Sequence, residues 1–547
     1  MPKNLTVPIS LTGNISSRPR STYTGLMKKL IFGLCLVASL SAEAKLLQII
    51  HTNDLHSYFK GYKDGHGGYA KLKVKIDELR ADAIERGIEV LQLDGGDFGE
   101  GTSFFMSREG SASVEALGML GTDISVIGNH DHMLGGKTLS DQIKKANVKT
   151  KFVSANLVPT PEMNLNGVVT PTVDISKAGI SIRVIGLSTA EAHFQYPLLP
   201  GFILPAVPVG TALADEARKQ GKELIIALTH IGQKADKDLA KKSSEIDLIV
   251  GGHSHTRLEE VVYVKNKKNK NVPIVQAGAH GLVVGSLLID VKDNGELEVI
   301  SYKLHEILPP MPEDQQMVEF VAEAAHDRNQ YFGGRWEEII GYTSIPLSGY
   351  NNGVNPTRAS CWGEHMAKMS QEASGADLSI HLAQFEGLAL EPGQISFGDM
   401  IENFPHFRNY GDPGWEISTV KVSGKALKVI LKAVINFKEM GVNFYGMHYR
   451  VFKIPSFIPF IGSKEYAFGL RVNGKKIDNK AQYTVAFPSE IGHALKLSLP
   501  QAARKLIPEL KNSGHYYWHV MEDYIKENSP IQCLNEKQAP ILAPDLD

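Results

Sequence analysis

Seven short apolar runs, each followed within two residues by Gly, Asn, Asp or His, constrain this chain more than any other feature. They are Leu46–Ile50, Val90–Leu93, Ile124–Ile127, Phe152–Ala155, Ile182–Ile185, Leu224–Leu228 and Leu248–Val250. Each is only three to five residues long and rich in Val, Ile and Leu. Runs of this kind read as strands buried on both faces. Between them, Tyr69–Arg86 and Thr211–Gln220 show helical periodicity with interspersed charge. Such alternation predicts an α/β sandwich over residues 45–307. Val272–Ile289 and Glu296–Leu304 add β-rich sequence, with Asp293-Asn294-Gly295 placed as a hairpin turn.

A breaker cluster, Leu308-Pro309-Pro310-Met311-Pro312, ends this region. Glu313–Arg328 follows as one helix with Met317, Phe320, Val321 and Ala324 on a single face. Residues 308–337 therefore read as a linker and bridging helix, and residues 338–547 as a second domain. That domain mixes expected helices (His365–Ala373, Gly424–Asn436) with expected strands (Glu416–Val422, Ala467–Val472, Tyr483–Ala486). A length of 547 residues suits two or three domains.

The N-terminus reads as an address. Lys28 and Lys29 precede an apolar stretch, Leu30–Leu40, which is too short to span a bilayer as a stable anchor. Ala42-Glu43-Ala44 then supplies a small-residue cleavage signal. Residues 1–44 are thus an extension plus signal peptide, the latter from Met27 to Ala44, and the expected location is periplasmic or secreted. No later stretch is apolar enough for a transmembrane helix. Fifty-eight basic and 60 acidic residues leave a net charge of −2, which gives no basic excess for nucleic acid. Three cysteines exclude a disulfide scaffold or a Cys-ligated zinc ribbon. Cys361 and Cys533 remain after the leader, and an oxidising compartment would allow them to pair.

Five polar clusters follow five of the apolar runs. They are His51-Thr52-Asn53-Asp54-Leu55-His56, Asp94-Gly95-Gly96-Asp97, Gly128-Asn129-His130-Asp131, Thr229-His230 and Gly252-His253-Ser254-His255-Thr256. Ligands of open α/β sheets gather outside the carboxyl ends of strands. Asp54 and His56 are two apart, as are His253 and His255, and on extended backbone such pairs face one side. Asp97 has two oxygens with which to bridge two cations, Asn129 offers a neutral carbonyl oxygen, and His230 offers another imidazole. Mixed N/O ligation without thiolate suits Mn, Zn, Fe, Co or Ni. Two such ions would clamp a phosphoryl group and activate water. His51 reads as packing rather than as a ligand.

These blocks resemble the signature blocks of the calcineurin-like metallophosphoesterases. His51–His56 and Gly251–Thr256 resemble more narrowly the secreted 5′-nucleotidase family. The resemblance implies a four-layer sandwich joined by a bridging helix to a C-terminal α/β substrate domain. It implies one metal held by Asp54, His56, Asp97 and His255, and a second held by Asp97, Asn129, His230 and His253. It implies that His130 stabilises the transition state and the leaving group while metal-bound hydroxide attacks phosphorus in line. The implied substrate is a small phosphoester, including nucleotides.

Two departures stand out. The family's Asp three residues after the catalytic histidine is replaced by Met133, with Asp131 or another acid left to orient His130. The family's phosphate-binding Arg is missing after Asp377, where Ile380–Gly387 stands, and Phe487–Gly492 replaces a usual Gly-Gly-Asp-Gly-Tyr. Arg358, His381, Glu386, His406 and Arg408 are the candidate replacements for substrate contact. The alternatives are a thiosulfohydrolase-like hydrolase acting on a sulfur-linked substrate, and a non-catalytic binding protein on the same scaffold.

Overall fold

The fold is a computed structural model that describes residues 44–292, 295–347, 360–435, 441–454, 464–498, 504 and 508–534. Residues 1–43, where the signal peptide is expected, Arg358 and the turn residues Asp293 and Asn294 lie outside the described residues. The described residues from Lys45 onward form one compact unit.

Two sheets face each other in the N-terminal half. The first has seven strands in the order Leu297–Glu306, Val283–Val291, Leu46–Thr52, Glu89–Asp94, Ile124–Val126, Lys151–Val153, Val169–Thr170. Its strands from Leu46–Thr52 onward run parallel, and the two at the other edge are antiparallel. The second has six, in the order Val262–Lys265, Asn271–Val275, Leu248–Val250, Leu224–His230, Ile180–Ser188, Thr172–Lys177. Its four central strands are parallel. Leu47, Ile49, Leu91, Leu93, Val126, Val184, Ile226 and Val250 meet in the core between the sheets. The alternate residues of the same strands pack outward against helices. Tyr69–Glu85, Ser111–Met119, Gly136–Ala146 and Gln315–Tyr331 cover one outer face. Ala206–Lys219 and Gln233–Lys242 cover the other. Both faces of the inner strands, such as Leu46–Thr52 and Leu224–His230, are therefore dry, which is why they read as continuous apolar runs. The result is a four-layer helix–sheet–sheet–helix sandwich.

His51 confirms the register. It pairs with Gly285 across the antiparallel ladder. A Cβ at Gly285 would lie 2.0 Å from its Nε2. Its ring stacks on Tyr302 at 6.0 Å, fully buried.

The C-terminal half is built on a mixed five-stranded sheet in the order Val442–Tyr445, Leu378–Leu382, Gln482–Pro488, Glu416–Ser423, Lys511–Tyr516. Helices Cys361–Ser374 and Tyr517–Asn528 pack with it, and Cys361 is disulfide-bonded to Cys533. The loop Ser103–Gly110 reaches from the sandwich into this second core, where Phe105 and Met106 are buried. Arg328, on the bridging helix, is 4% exposed and sits 3.5 Å over Trp336 and 4.4 Å over Phe104. It donates to Glu402 Oε1 at 3.0 Å and to Ser103 Oγ at 3.1 Å. A buried cation needs such partners, so this network fixes sandwich, helix and C-terminal domain together.

Candidate metal centre

The polar loops after the strands converge at one end of the sandwich. Each is placed by a parallel strand of fixed register, so the strand ends bring together residues about 200 positions apart in sequence. His56 Nε2 lies 3.2 Å from His255 Nε2, and Asp54 Oδ1 is 3.4 Å from the same His255 nitrogen. Asp97 Oδ2 lies 2.9 Å from His230 Nε2 and 3.7 Å from His56 Nε2. Asn129 Oδ1 is 3.2 Å from His230 Nε2. Two neighbouring ligand sets result, Asp54 with His56 and His255, and Asp97 with His230 and His253. A third set, His56, Asp97 and His130, joins them, sharing His56 with the first and Asp97 with the second.

The backbone that achieves this is not the extended one the i, i+2 spacing suggests. Asp54, His56, Asp97, His253 and His255 all have positive φ, between 49° and 77°. Each such non-glycine residue carries strain of about 1–3 kcal/mol. The pairs converge because left-handed kinks turn both members inward, held by hydrogen bonds. His253 N–H donates to Asp54 Oδ2 at 3.0 Å, and His56 N–H donates to Asp97 O at 2.9 Å. Glycine is required at two neighbours. A Cβ on Gly128 would lie 2.1 Å from Asp97 Oδ1, and one on Gly252 would lie 2.4 Å from Gly95 O.

The donor set fits divalent cations. Two carboxylates (Asp54, Asp97), one amide (Asn129) and four imidazoles (His56, His230, His253, His255) supply oxygen and nitrogen donors without a thiolate. Burial alone would lower His230, yet the Asp97 and Asp54 carboxylates outweigh it and hold it up at about 10. For Asp97 burial works upward, and His230 and His130 overcome it and hold the carboxyl well below its usual value. A cation would meet the same negative potential that raises His230. His230 Nδ1 also meets Gly95 O at 2.6 Å, which fixes the ring so that Nε2 faces the centre.

His130 stands beside this centre, its ring 4.8 Å from that of His56. Its Nδ1 lies 2.6 Å from Glu100 Oε2, and its backbone N–H donates to Asp97 Oδ1 at 2.8 Å. Burial would lower its pKa, but Asp97 and Glu100 raise it to about 9. Asp131 is not its orienter. Its carboxylate accepts the backbone N–H groups of Gly128 at 2.7 Å, Gly99 at 2.9 Å and Asp97 at 3.0 Å, and so holds two loops together. Met133 lies in a turn, its N–H 3.4 Å from His130 O. Glu100 was missed by sequence reasoning. Its only local signal is an acid placed between two glycines, three residues after Asp97. His280 was also missed. It stacks on Tyr58 at 3.9 Å and closes the centre 5.5 Å from the rings of His56 and His255.

The proposed substrate residues fare differently. His381 and Glu386 are buried at 0% and 1% exposure, with His381 Nε2 3.3 Å from Glu386 Oε1. Neither presents surface to a substrate; the strand Leu378–Leu382 is interior to its sheet and points His381 inward. His406 is spent on protein contacts, with Nδ1 3.0 Å from Glu100 Oε1 and Nε2 2.7 Å from Phe385 O. Of the described candidates, Arg408 alone is open, its side chain 59% exposed and 4.0 Å from Glu490 Oε1. Phe194 packs against His130 and His253, and Tyr196 stacks on His493 of the C-terminal domain at 5.8 Å.

Residues 47–257 match the family model described as calcineurin-like phosphoesterase. These residues are a calcineurin-like phosphoesterase domain. The chain is 31% identical over 290 residues to a 5′-nucleotidase of Rattus norvegicus, covering 48% of this chain and 49% of that protein. It is 26% identical to a 5′-nucleotidase of Vibrio cholerae, covering 93% of this chain and 97% of that protein. The alignments to the first curated relatives span about half of those proteins' length or less. The crystal structure of a 5′-nucleotidase precursor from Thermus thermophilus superposes with a TM-score of 0.74 at 23% identity, covering 91% of this chain and 99% of that one. The phosphoesterase domain and the C-terminal domain thus share the 5′-nucleotidase fold.

Proposed function

We propose that the protein is an exported, two-metal phosphoesterase of the 5′-nucleotidase type, acting on small phosphoesters. The observation that carries the reading is the pair of His/Asp ligand sets, one at Asp54 and one at Asp97, linked by His56 and Asp97 beside His130. Asp54, His56, Asp97 and His255 would hold one divalent ion, and Asp97, Asn129, His230 and His253 the other. Bound there, the ions would neutralise phosphoryl oxygens and activate water for in-line attack. Asp97, whose Oδ2 lies 2.9 Å from His230 Nε2 and 3.7 Å from His56 Nε2, would share its negative charge between the two ions. His130, with Nδ1 engaged by Glu100, has Nε2 left to meet the departing oxygen and to donate a proton or hydrogen bond there. No side chain is needed as a covalent nucleophile. The Cys361–Cys533 disulfide supports an oxidising compartment and, with the leader read at Met27–Ala44, export.

The test is hydrolysis of p-nitrophenyl phosphate, nucleotides and sugar nucleotides by chelator-treated protein, with and without Mn, Zn, Co or Ni added back. Metal-restored turnover is expected. Binding of metal without turnover on any ester would overturn the reading and favour the scaffold's use for binding alone.

A further inference from the structure

One chain of contacts crosses from the phosphoesterase domain into the C-terminal domain. His130 Nδ1 meets Glu100 Oε2 at 2.6 Å, and Glu100 Oε1 meets His406 Nδ1 at 3.0 Å. His406 and Glu100 are 306 residues apart. Every member is held in place. Glu100 has φ 52° in the loop that also carries Asp97. A Cβ at the next residue, Gly101, would lie 2.6 Å from His56 Cβ, so this loop rests directly on the centre. The His406 ring stacks on Trp415 at 4.4 Å and 18°, and lies edge-on to Phe404 at 4.9 Å. Its other nitrogen is tied to Phe385 O at 2.7 Å. A carboxylate and a carbonyl only accept, so His406 donates from both nitrogens when both bonds are made.

The geometry has a chemical consequence. The His130 side chain is 25% exposed, and an imidazole so placed would otherwise turn about its last torsion. A carboxylate on Nδ1 fixes which nitrogen carries the proton and which one faces a substrate. That carboxylate is fixed only if its second oxygen is held, and the holder comes from the other domain. We propose that Glu100 is the positioning residue for His130 and that His406 sets Glu100, so that docking of the C-terminal domain completes the leaving-group machinery of the phosphoesterase domain. The inference rests on the proposed reaction, but its geometry can be tested apart from it.

Positioning of a leaving-group donor matters most where the leaving oxygen is poor. Glu100→Ala and His406→Phe are expected to lower kcat on an alkyl phosphate by about 10–100-fold, the usual loss for a residue that orients another. The loss on p-nitrophenyl phosphate should be a few-fold at most, with KM and metal content nearly unchanged. His406→Gln, which keeps a donor, should restore part of the loss. Combined with His130→Ala, neither substitution should lower kcat further, because the residue they act through is gone. In metal-free protein labelled with 15N-histidine, the Nδ1 proton resonance of His130 should be strongly downfield and should disappear in Glu100→Ala, which removes the acceptor. Equal losses on both esters, additivity with His130→Ala, or an unchanged resonance would each overturn the proposal. A wild-type protein inactive on every ester would instead remove the reaction, and the resonance alone would then decide the Glu100–His130 contact.

Discussion

Asp97 accepts the backbone N–H of His130 on Oδ1 at 2.8 Å while its Oδ2 lies 2.9 Å from His230 Nε2. One carboxylate therefore both joins the two ligand sets and fixes the loop that carries the leaving-group histidine. Asp97→Ala should lose both services. Two cations brought close together without a shared anion repel each other, so elemental analysis should find the second ion lost and turnover should fall to background. Retention of two metals per chain would show that Asp97 is not the bridge.

A second expectation concerns pH and stability. Asp236 is 1% exposed, and burial pushes its carboxyl up to about 7, against the hydrogen bond from Thr229 at 2.7 Å and the nearby His230. Its folded pKa lies above its unfolded one, so the unfolded chain releases the proton first as pH rises. The group therefore costs stability increasingly from about pH 4 to about pH 7. Asp236→Asn carries no such charge. Its stability relative to wild type should improve across pH 5–7, on the order of 1 kcal/mol per pH unit. Urea denaturation at several pH values measures this, and a pH-independent difference would contradict it.

Substrate choice should reflect the C-terminal domain. Among the described residues one arginine candidate, Arg408, lies 4.0 Å from Glu490 Oε1, and its guanidinium is largely solvated. A solvated, singly paired Arg gives weaker phosphate binding than a buried bidentate one. The protein should therefore show low kcat/KM on AMP compared with p-nitrophenyl phosphate. Efficient AMP hydrolysis that survives both Arg408→Ala and Arg358→Ala would mean that other residues read the nucleotide.

The disulfide should matter to one half of the molecule. Cys361 and Cys533 lie 172 residues apart, and the loop they close includes all five strands of the C-terminal sheet. Cross-links closing long loops stabilise by about 2–5 kcal/mol. Reductant should lower the melting temperature of the wild type and leave a Cys361→Ser, Cys533→Ser double variant unmoved. Metal content should not change, because the ligands lie outside the loop. Equal melting of oxidised and reduced wild type would remove the bond from the stability of the fold.

The sequence by itself determined the sandwich and the identity of the groups at its rim. Short Val/Ile/Leu runs such as Leu224–Leu228 can be strands only if both faces are dry, and that condition already demands helices on the outside. The polar groups that follow each run are local to it, so Asp54, Asp97, Asn129 and His253 were visible as a set before any contact was known. The tertiary structure decided what depends on contacts between distant segments. It turned the Asp54–His56 and His253–His255 pairs inward through positive φ, a choice set by hydrogen bonds such as His253 N–H to Asp54 and invisible in their spacing. It buried His381 and Glu386 together, because a strand's place in its sheet depends on its neighbours and not on its own composition. It also gave His130 the partner that Met133 could not be. Glu100 is close to Asp97 in sequence, but its second oxygen is held by His406, and only the docking of two domains puts those residues within hydrogen-bond distance.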